Sequence, residues 1–222
     1  MPGVNVRSVQ PVPIRDGLYE VIDDRGAVFY LDGAARIGFQ CELFDVATRR
    51  NLTQESLARF RAVQFDALPL ELAIRRVKGD GTRRLAVFAD PDCPYCSKLE
   101  HELEGVDDVT VYTFLYPIAS LHPDAAERSR RIWCADDRDA AWRAWLLARR
   151  DAPAAPEGCE SPVAKIDEIA SRFWINGTPS LIFDSGRVVH GTLPRAVIET
   201  YLVEPSLGAS AAPASTGASG GS

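Results

Sequence analysis

Up to about residue 50, apolar positions come in short runs separated by turn residues. Val21-Ile22 meets a turn at Asp23-Asp24-Arg25-Gly26, and Ala27 to Leu31 follows. A second turn falls at Asp32-Gly33, and a third run surrounds Phe39 to Phe44. This pattern predicts a small antiparallel sheet, marginal on its own and in need of something to cover a face or an edge. Thr53 then reads as the N-cap of a helix that carries Leu57, Phe60 and Val63 on one face, and Leu68-Pro69 ends the helical pattern.

From about residue 70 the pattern becomes α/β. Leu85 to Ala89 is a continuous apolar run, as expected of a strand buried on both faces, and Asp90-Pro91-Asp92 breaks it just before a helix that starts near Cys93. Val109 to Leu115 predicts a second strand. Helices are expected over about 124–133 and 136–150, and again from Ser161-Pro162 to about Trp174. Leu181-Ile182-Phe183, a turn at Asp184-Ser185-Gly186, and Val188-Val189 predict a hairpin, with a last helix from Pro194 to about Leu202. The expected organisation is an N-terminal domain over 1–52, a helical linker over 53–75, an α/β domain over 76–205 and a disordered Gly/Ala/Ser tail over 206–222. Nothing in that tail can bury enough surface to offset its ordering entropy.

Composition narrows the class. The chain has 222 residues, 46% of them apolar and 25% charged, which excludes wholesale disorder, collagen and coiled coil. A net charge of −6 argues against a dedicated nucleic-acid binder, and no apolar run approaches the roughly 18 residues that a membrane span needs. Met1-Pro2-Gly3 begins no basic or apolar leader. The expectation therefore divides between a cytosolic protein and one whose signal peptide has been removed.

Five cysteines carry the candidate chemistry: Cys41, Cys93, Cys96, Cys134 and Cys159. Cys93-Pro94-Tyr95-Cys96 sits where a buried strand gives way to a helix. A helix N-terminus offers partial positive charge and free N–H groups that stabilise a thiolate, and the two-residue spacing lets the second sulfur resolve a mixed disulfide. Pro94 stiffens the turn. Cys93 is thus the expected nucleophile, the more exposed of the two, and Cys96 the buried resolving thiol. The alternative is a structural zinc half-site, which would need a second pair of ligands. Cys41, Cys134 and Cys159 stand apart, however, and His101, His122 and His190 are scattered. None of the three histidines is expected to be catalytic.

Gly177-Thr178-Pro179 stands immediately before the strand Ser180 to Phe183. Proline ahead of a central strand reads either as a trans residue opening the strand or as a cis peptide, and the C-x-x-C upstream favours the latter.

Phe88 to Cys96, Ile132-Trp133-Cys134-Ala135 and Gly177-Thr178-Pro179, in that order, resemble the DsbC/DsbG family of bacterial periplasmic thiol:disulfide interchange proteins, and DsbC most closely. Gln10-Pro11-Val12-Pro13, Gly17-Leu18-Tyr19 and Tyr30 to Gly33 extend the likeness towards the N-terminus. The resemblance implies a fold class of α/β type, a thioredoxin-fold catalytic domain with a helical insertion, preceded by a small cystatin-like α+β dimerisation domain. It implies disulfide isomerisation in misfolded secreted proteins, with Cys93 attacking and Cys96 as its partner, Pro94 and Tyr95 between them, and Thr178 and a cis Pro179 against the sulfurs and the substrate. It also implies a structural disulfide between Cys134 and Cys159, a homodimer, a periplasmic location after signal-peptide removal, and a DsbD-like membrane reductase as electron donor, with no metal or organic cofactor and no nucleic acid. Two alternatives stay open: a DsbG-like reductase of oxidised cysteines, and a chaperone or assembly factor that uses the dimer cleft. Cys41 lies outside the family pattern and is expected as a buried free thiol, or else as an intermolecular disulfide.

Overall fold

The computed structural model describes residues 5–12 and 15–207. Pro13 and residues 208–222 of the expected tail lie outside them. Two compact units divide the chain, Met1–Phe60 and Arg61–Ser222. Among the described residues no helix is long and apolar enough to cross a membrane.

In the first unit, β1 (Val6–Pro11), β2 (Leu18–Asp23), β3 (Val28–Asp32) and β4 (Gly38–Phe39) form an antiparallel sheet in that order. Asp23 and Asp32 each shape the turn that follows, because one carboxylate oxygen accepts two backbone N–H groups: those of Arg25 and Ala27, and those of Arg36 and Ile37. The run expected around Phe39 to Phe44 is broken. Only its ends join ladders, Phe39 in β4 and Phe44 in β5 (Phe44–Asp45), which pairs with β6 (Arg50–Asn51).

Helix α1 (Leu52–Phe60) follows, and Asn51 rather than Thr53 supplies its cap, its Oδ1 accepting the Gln54 N–H at 3.0 Å. Thr53 is used inside: its hydroxyl meets the buried Tyr30 hydroxyl and accepts the Leu43 N–H at 2.8 Å. Tyr30 also donates to Glu20, and Ser56 donates to the other Glu20 oxygen. Burial pushes the Tyr30 phenol up to about 12. This polar knot sits among Val12, Ile22 and Val28, with Leu57 and Phe60 of α1 packed against them.

The segment expected as a helical linker over 53–75 is helical only to Phe60. Its remainder makes two single-turn 3-10 helices, Phe65–Ala67 and Leu70–Leu72, and then enters β7 (Ile74–Lys78). The helix thus stops well before Leu68-Pro69, its expected end, and Phe65 and Leu68 bury in the core of the second unit.

That unit is built on a five-stranded sheet. After β7 come β8 (Arg83–Ala89), α2 (Pro94–Leu103), β9 (Val109–Leu115), α3 (Ala125–Trp133), α4 (Arg138–Ala148), α5 (Val163–Arg172), β10 (Ser180–Phe183), β11 (Val188–His190) and α6 (Arg195–Leu202). The strand order is β11-β10-β8-β9-β7; β8 and β9 are parallel and the other pairs antiparallel.

Period-2 alternation along β8 feeds two cores. Leu85, Val87 and Ala89 pack with Leu99, Leu103, Trp142, Leu146, Ile198 and Leu202, while Ala86 and Phe88 pack with Phe114, Ile166, Ile169 and Ala170. Helices therefore cover both sheet faces, and the C-terminal end of β8 is held rigidly where the Cys93 turn begins. The β10–β11 turn needs glycine: Gly186 has φ +88°, and a Cβ there would lie 2.9 Å from the Val63 carbonyl oxygen.

Candidate active site

Cys93 is the residue just before α2, with extended backbone (φ −72°, ψ 121°), and Pro94 occupies the first helical position, where its missing N–H costs nothing. No conventional side chain caps this helix. The Cys93 carbonyl oxygen accepts the Cys96 and Ser97 N–H groups at 3.1 and 3.2 Å, which sets the Cys93 sulfur at the start of the helix. Cys96 lies on the inner face of α2 with Leu99, Glu100 and Leu103.

Both cysteines are free and buried, Cys93 at 5% exposure and Cys96 at 2%. The expected contrast in exposure is small, because the residue-178 loop covers Cys93, whose Sγ lies 3.4 Å from the Thr178 carbonyl oxygen. The contrast in charge is large. The hydrogen bond from the Cys96 thiol leads the effects that depress the Cys93 thiol to about 5, with backbone N–H groups and the Thr178 side chain adding to it against burial. Burial first, and then the neighbouring Cys93 sulfur, drives Cys96 far upward.

The peptide between Thr178 and Pro179 is cis. The Ser180 hydroxyl braces that loop, donating to the Gly177 carbonyl oxygen at 2.7 Å and meeting His190 Nδ1 at 2.9 Å. Tyr95 projects into solvent, and its carbonyl oxygen accepts the Thr192 hydroxyl at 2.8 Å.

The helical insertion anchors each residue of the tripeptide that precedes Cys93. Asp90, fully buried, accepts the Asp92 N–H on one oxygen at 2.8 Å, and on the other the Ile118 N–H at 2.7 Å and His122 Nδ1 at 2.9 Å. The Pro91 carbonyl oxygen accepts the Trp145 indole N–H at 2.7 Å. Asp92 pairs with Arg128 at 2.6 Å, and the Arg128 guanidinium lies 3.9 Å from the centre of the Trp145 ring. Cys134 and Cys159 are joined in a disulfide 25 residues apart in sequence, closing the end of α3 onto the segment before α5.

Two sequence expectations change. Cys41 is an exposed free thiol rather than a buried one, since it falls in the stretch between β4 and β5 that no ladder holds. His122, given no part from sequence, lies against the nucleophile's turn through Asp90. A signal existed in the acidic pair flanking Pro91, which calls for cations nearby, but the partners stand 32 and 36 residues away.

Two family profiles match the chain. One is described as a thioredoxin-like domain and covers residues 70–204; the other is the N-terminal domain of disulfide bond isomerase proteins and covers residues 1–54. Over 200 residues the chain is 40% identical to a protein of Bordetella parapertussis named "Probable thiol:disulfide interchange protein DsbC", spanning 90% of this chain and 69% of that one. Identity to the Escherichia coli K12 thiol:disulfide interchange protein DsbC is 26% over 206 residues, 91% of this chain and 83% of that one. The crystal structure of a disulfide interchange protein from Neisseria gonorrhoeae is 42% identical, with a TM-score of 0.55, covering 62% of this chain and all of that one. The fold class is accordingly a thioredoxin-like α/β domain with a helical insertion, preceded by a disulfide-isomerase N-terminal domain.

Proposed function

The chain belongs to the DsbC family of thiol:disulfide interchange proteins, and from that membership we propose that it isomerises non-native disulfides of secreted proteins through Cys93. The observation that carries the assignment to Cys93 is the opposed charge preference of its two sulfurs: the Cys93 thiol is depressed to about 5 and the Cys96 thiol is driven upward. At neutral pH the first is a thiolate and the second a protonated thiol, the division of labour that attack followed by optional resolution requires.

In the first step the Cys93 thiolate attacks one sulfur of a substrate disulfide, forming a Cys93–substrate disulfide and releasing the other sulfur as a thiolate. A substrate thiolate then attacks that mixed disulfide, forms a new substrate disulfide and returns Cys93 as thiolate, with no net redox change. If Cys96 instead loses its proton and attacks, the substrate leaves reduced and the enzyme carries a Cys93–Cys96 disulfide. A DsbD-like membrane reductase would supply the two electrons that restore it. The low leaving-group pKa of Cys93 speeds release in either branch. Thr178 and Pro179 would line the face on which an extended substrate segment rests, beside the exposed Tyr95.

The first unit is read as the dimerisation domain and the second as the catalytic domain. Exposed Val6 and Val9 on β1 and Phe39 on β4 support this, since they leave apolar surface on the outer strands of a thin sheet that a second copy would cover. A periplasmic location follows from the same family reading and agrees with a disulfide between Cys134 and Cys159.

The test is recovery of activity from a scrambled multi-disulfide substrate in glutathione buffer. Recovery with the wild type and none with Cys93→Ser supports the reading; equal recovery with both, or with neither when the protein is folded and reduced, refutes it.

A further inference from the structure

Asp90 and Asp92 put two carboxylates within three residues of a sulfur that must itself carry negative charge. Such a cluster opposes a thiolate unless it is offset. The structure offsets each acid with a cation from the segment that follows β9. Arg128 pairs with Asp92, and His122 pairs with Asp90. The two differ in kind: the guanidinium is charged at every accessible pH, whereas the imidazole titrates.

His122 is held by more than this one contact. Its backbone N–H bonds the Ile118 carbonyl oxygen at 2.9 Å, and its own carbonyl oxygen accepts the Ala125 N–H at 3.1 Å. The Asp90 oxygen it meets also accepts the Ile118 N–H, so the ring is fixed over a fully buried acid whose carbonyl oxygen accepts the Cys93 N–H at 3.2 Å. Because the partner is a carboxylate, Nδ1 carries the hydrogen and Nε2 is the position that gains or loses a proton.

We infer that His122 is a positioning residue for Cys93: clipped to Asp90, its imidazolium offsets the charge packed behind the nucleophile and responds to whether the Cys93 sulfur is a thiolate or is bound in a disulfide. This rests on Cys93 being the reactive thiolate. The charged groups that act on the ring are Asp90, Asp92 and the Cys93 sulfur, with Arg128 reaching it through Asp92. The Asp90 hydrogen bond is foremost in holding the imidazolium to higher pH than is usual for histidine, and the Asp90 and Cys93 charges add to it against desolvation.

Coupling of this kind is reciprocal. If the imidazolium favours the thiolate, the thiolate favours the imidazolium, and loss of the thiolate on oxidation must lower the histidine midpoint. The experiment is an NMR titration of the His122 ring protons in the full chain, reduced with dithiothreitol and then oxidised with oxidised glutathione, the signal being assigned with His122→Asn. The expected result is a midpoint higher by about half a pH unit or more in the reduced protein. Reduced Cys93→Ser should behave like the oxidised form. Identical midpoints in all three would overturn the inference.

A second readout is thiolate absorbance near 240 nm in reduced His122→Asn. Its side-chain amide N–H can still reach Asp90, but it carries no charge. The Cys93 midpoint should move up by about half a pH unit, a threefold change in the thiol–thiolate ratio, and the two curves should converge at pH values where wild-type His122 is neutral. A curve superposing on the wild type at every pH would reduce His122 to a structural part. Absence of any low-pH thiolate signal in the wild type would instead contradict the Cys93 assignment itself.

Discussion

The Cys93 sulfur lies 3.4 Å from the carbonyl oxygen of Thr178, a residue 85 positions further along the chain, and the Thr178 side chain is among the influences that lower both thiols of the Cys93–Cys96 pair. Strand β10, paired with β8, brings this about: Ser180 sits opposite Phe88, so the residues before one strand face the residues after the other. Thr178→Val keeps the shape and removes the hydroxyl. It should raise the midpoint of the 240 nm thiolate transition by about half to one pH unit and slow alkylation by iodoacetamide at pH 5 to 6, with little change in folding stability. An unchanged midpoint would remove Thr178 from the stabilisation of the thiolate.

The depressed Cys93 thiol has a consequence for stability with a definite sign. Its folded value, about 5, lies below the ordinary thiol value of 9.0. The contribution is therefore fully present above about pH 9 and is lost as pH falls through about 5. Only the reduced protein has this thiol to titrate, so denaturation of reduced and oxidised forms at matched pH isolates it. The reduced form should gain on the oxidised form steadily from about pH 5 to about 9. Beyond 9 the gain should reverse, because Cys96, driven upward in the fold, resists the ionisation that the unfolded chain undergoes freely. A stability difference flat across this range would contradict the thiolate assignment.

How much of this could be read from the sequence depended on whether partners are local. The C-x-x-C on a strand-to-helix turn, the run Leu85 to Ala89 and the turn at Asp184 to Gly186 are set by neighbours within a few residues, and each lies where its pattern put it. Strand β7 was obscured because Arg76 alternates inward as an apolar residue would, its charge being met by Glu100, 24 residues away on α2. The hydroxyl of Thr53 looked like a cap and instead reaches Tyr30, leaving Asn51 to cap α1. His122 and Arg128 carried no local signal, since their partners Asp90 and Asp92 come from another element.

The Arg76–Glu100 pair supports a stability prediction. Arg76 is 8% exposed and Glu100 3%, and Glu100 also accepts the Trp142 indole N–H at 3.0 Å. The guanidinium Nε and Nη2 are buried with no hydrogen-bond partner. Glu100→Ala should thus cost about 3–5 kcal/mol, since it takes the nearest carboxylate from a buried cation and leaves only Glu104 and Asp139, each at 3.7 Å, while pairing it with Arg76→Leu should return a large part of that. Urea denaturation of the two variants separates these outcomes, and equal losses in both would contradict the account.

The Cys134–Cys159 bridge should act on stability and leave the thiolate alone. Joining residues 25 apart constrains the unfolded chain by about 3.5 kcal/mol in the loop-entropy account, and measured values commonly fall below this. The double Cys→Ala variant should lose about 2–4 kcal/mol in denaturant. Its 240 nm transition should stay near the wild-type midpoint, because neither cysteine is among the groups that shift Cys93. A large movement of that midpoint would mean the bridge also shapes the site.

The central claim is that Cys93, rather than another thiol of the chain, attacks the substrate. Cys96→Ser removes resolution and should let the mixed disulfide accumulate when the variant meets a scrambled multi-disulfide protein. Peptide mapping of the trapped adduct should find the substrate on Cys93. Adduct confined to the exposed Cys41, or none on Cys93 in a folded and reduced preparation, would contradict the account.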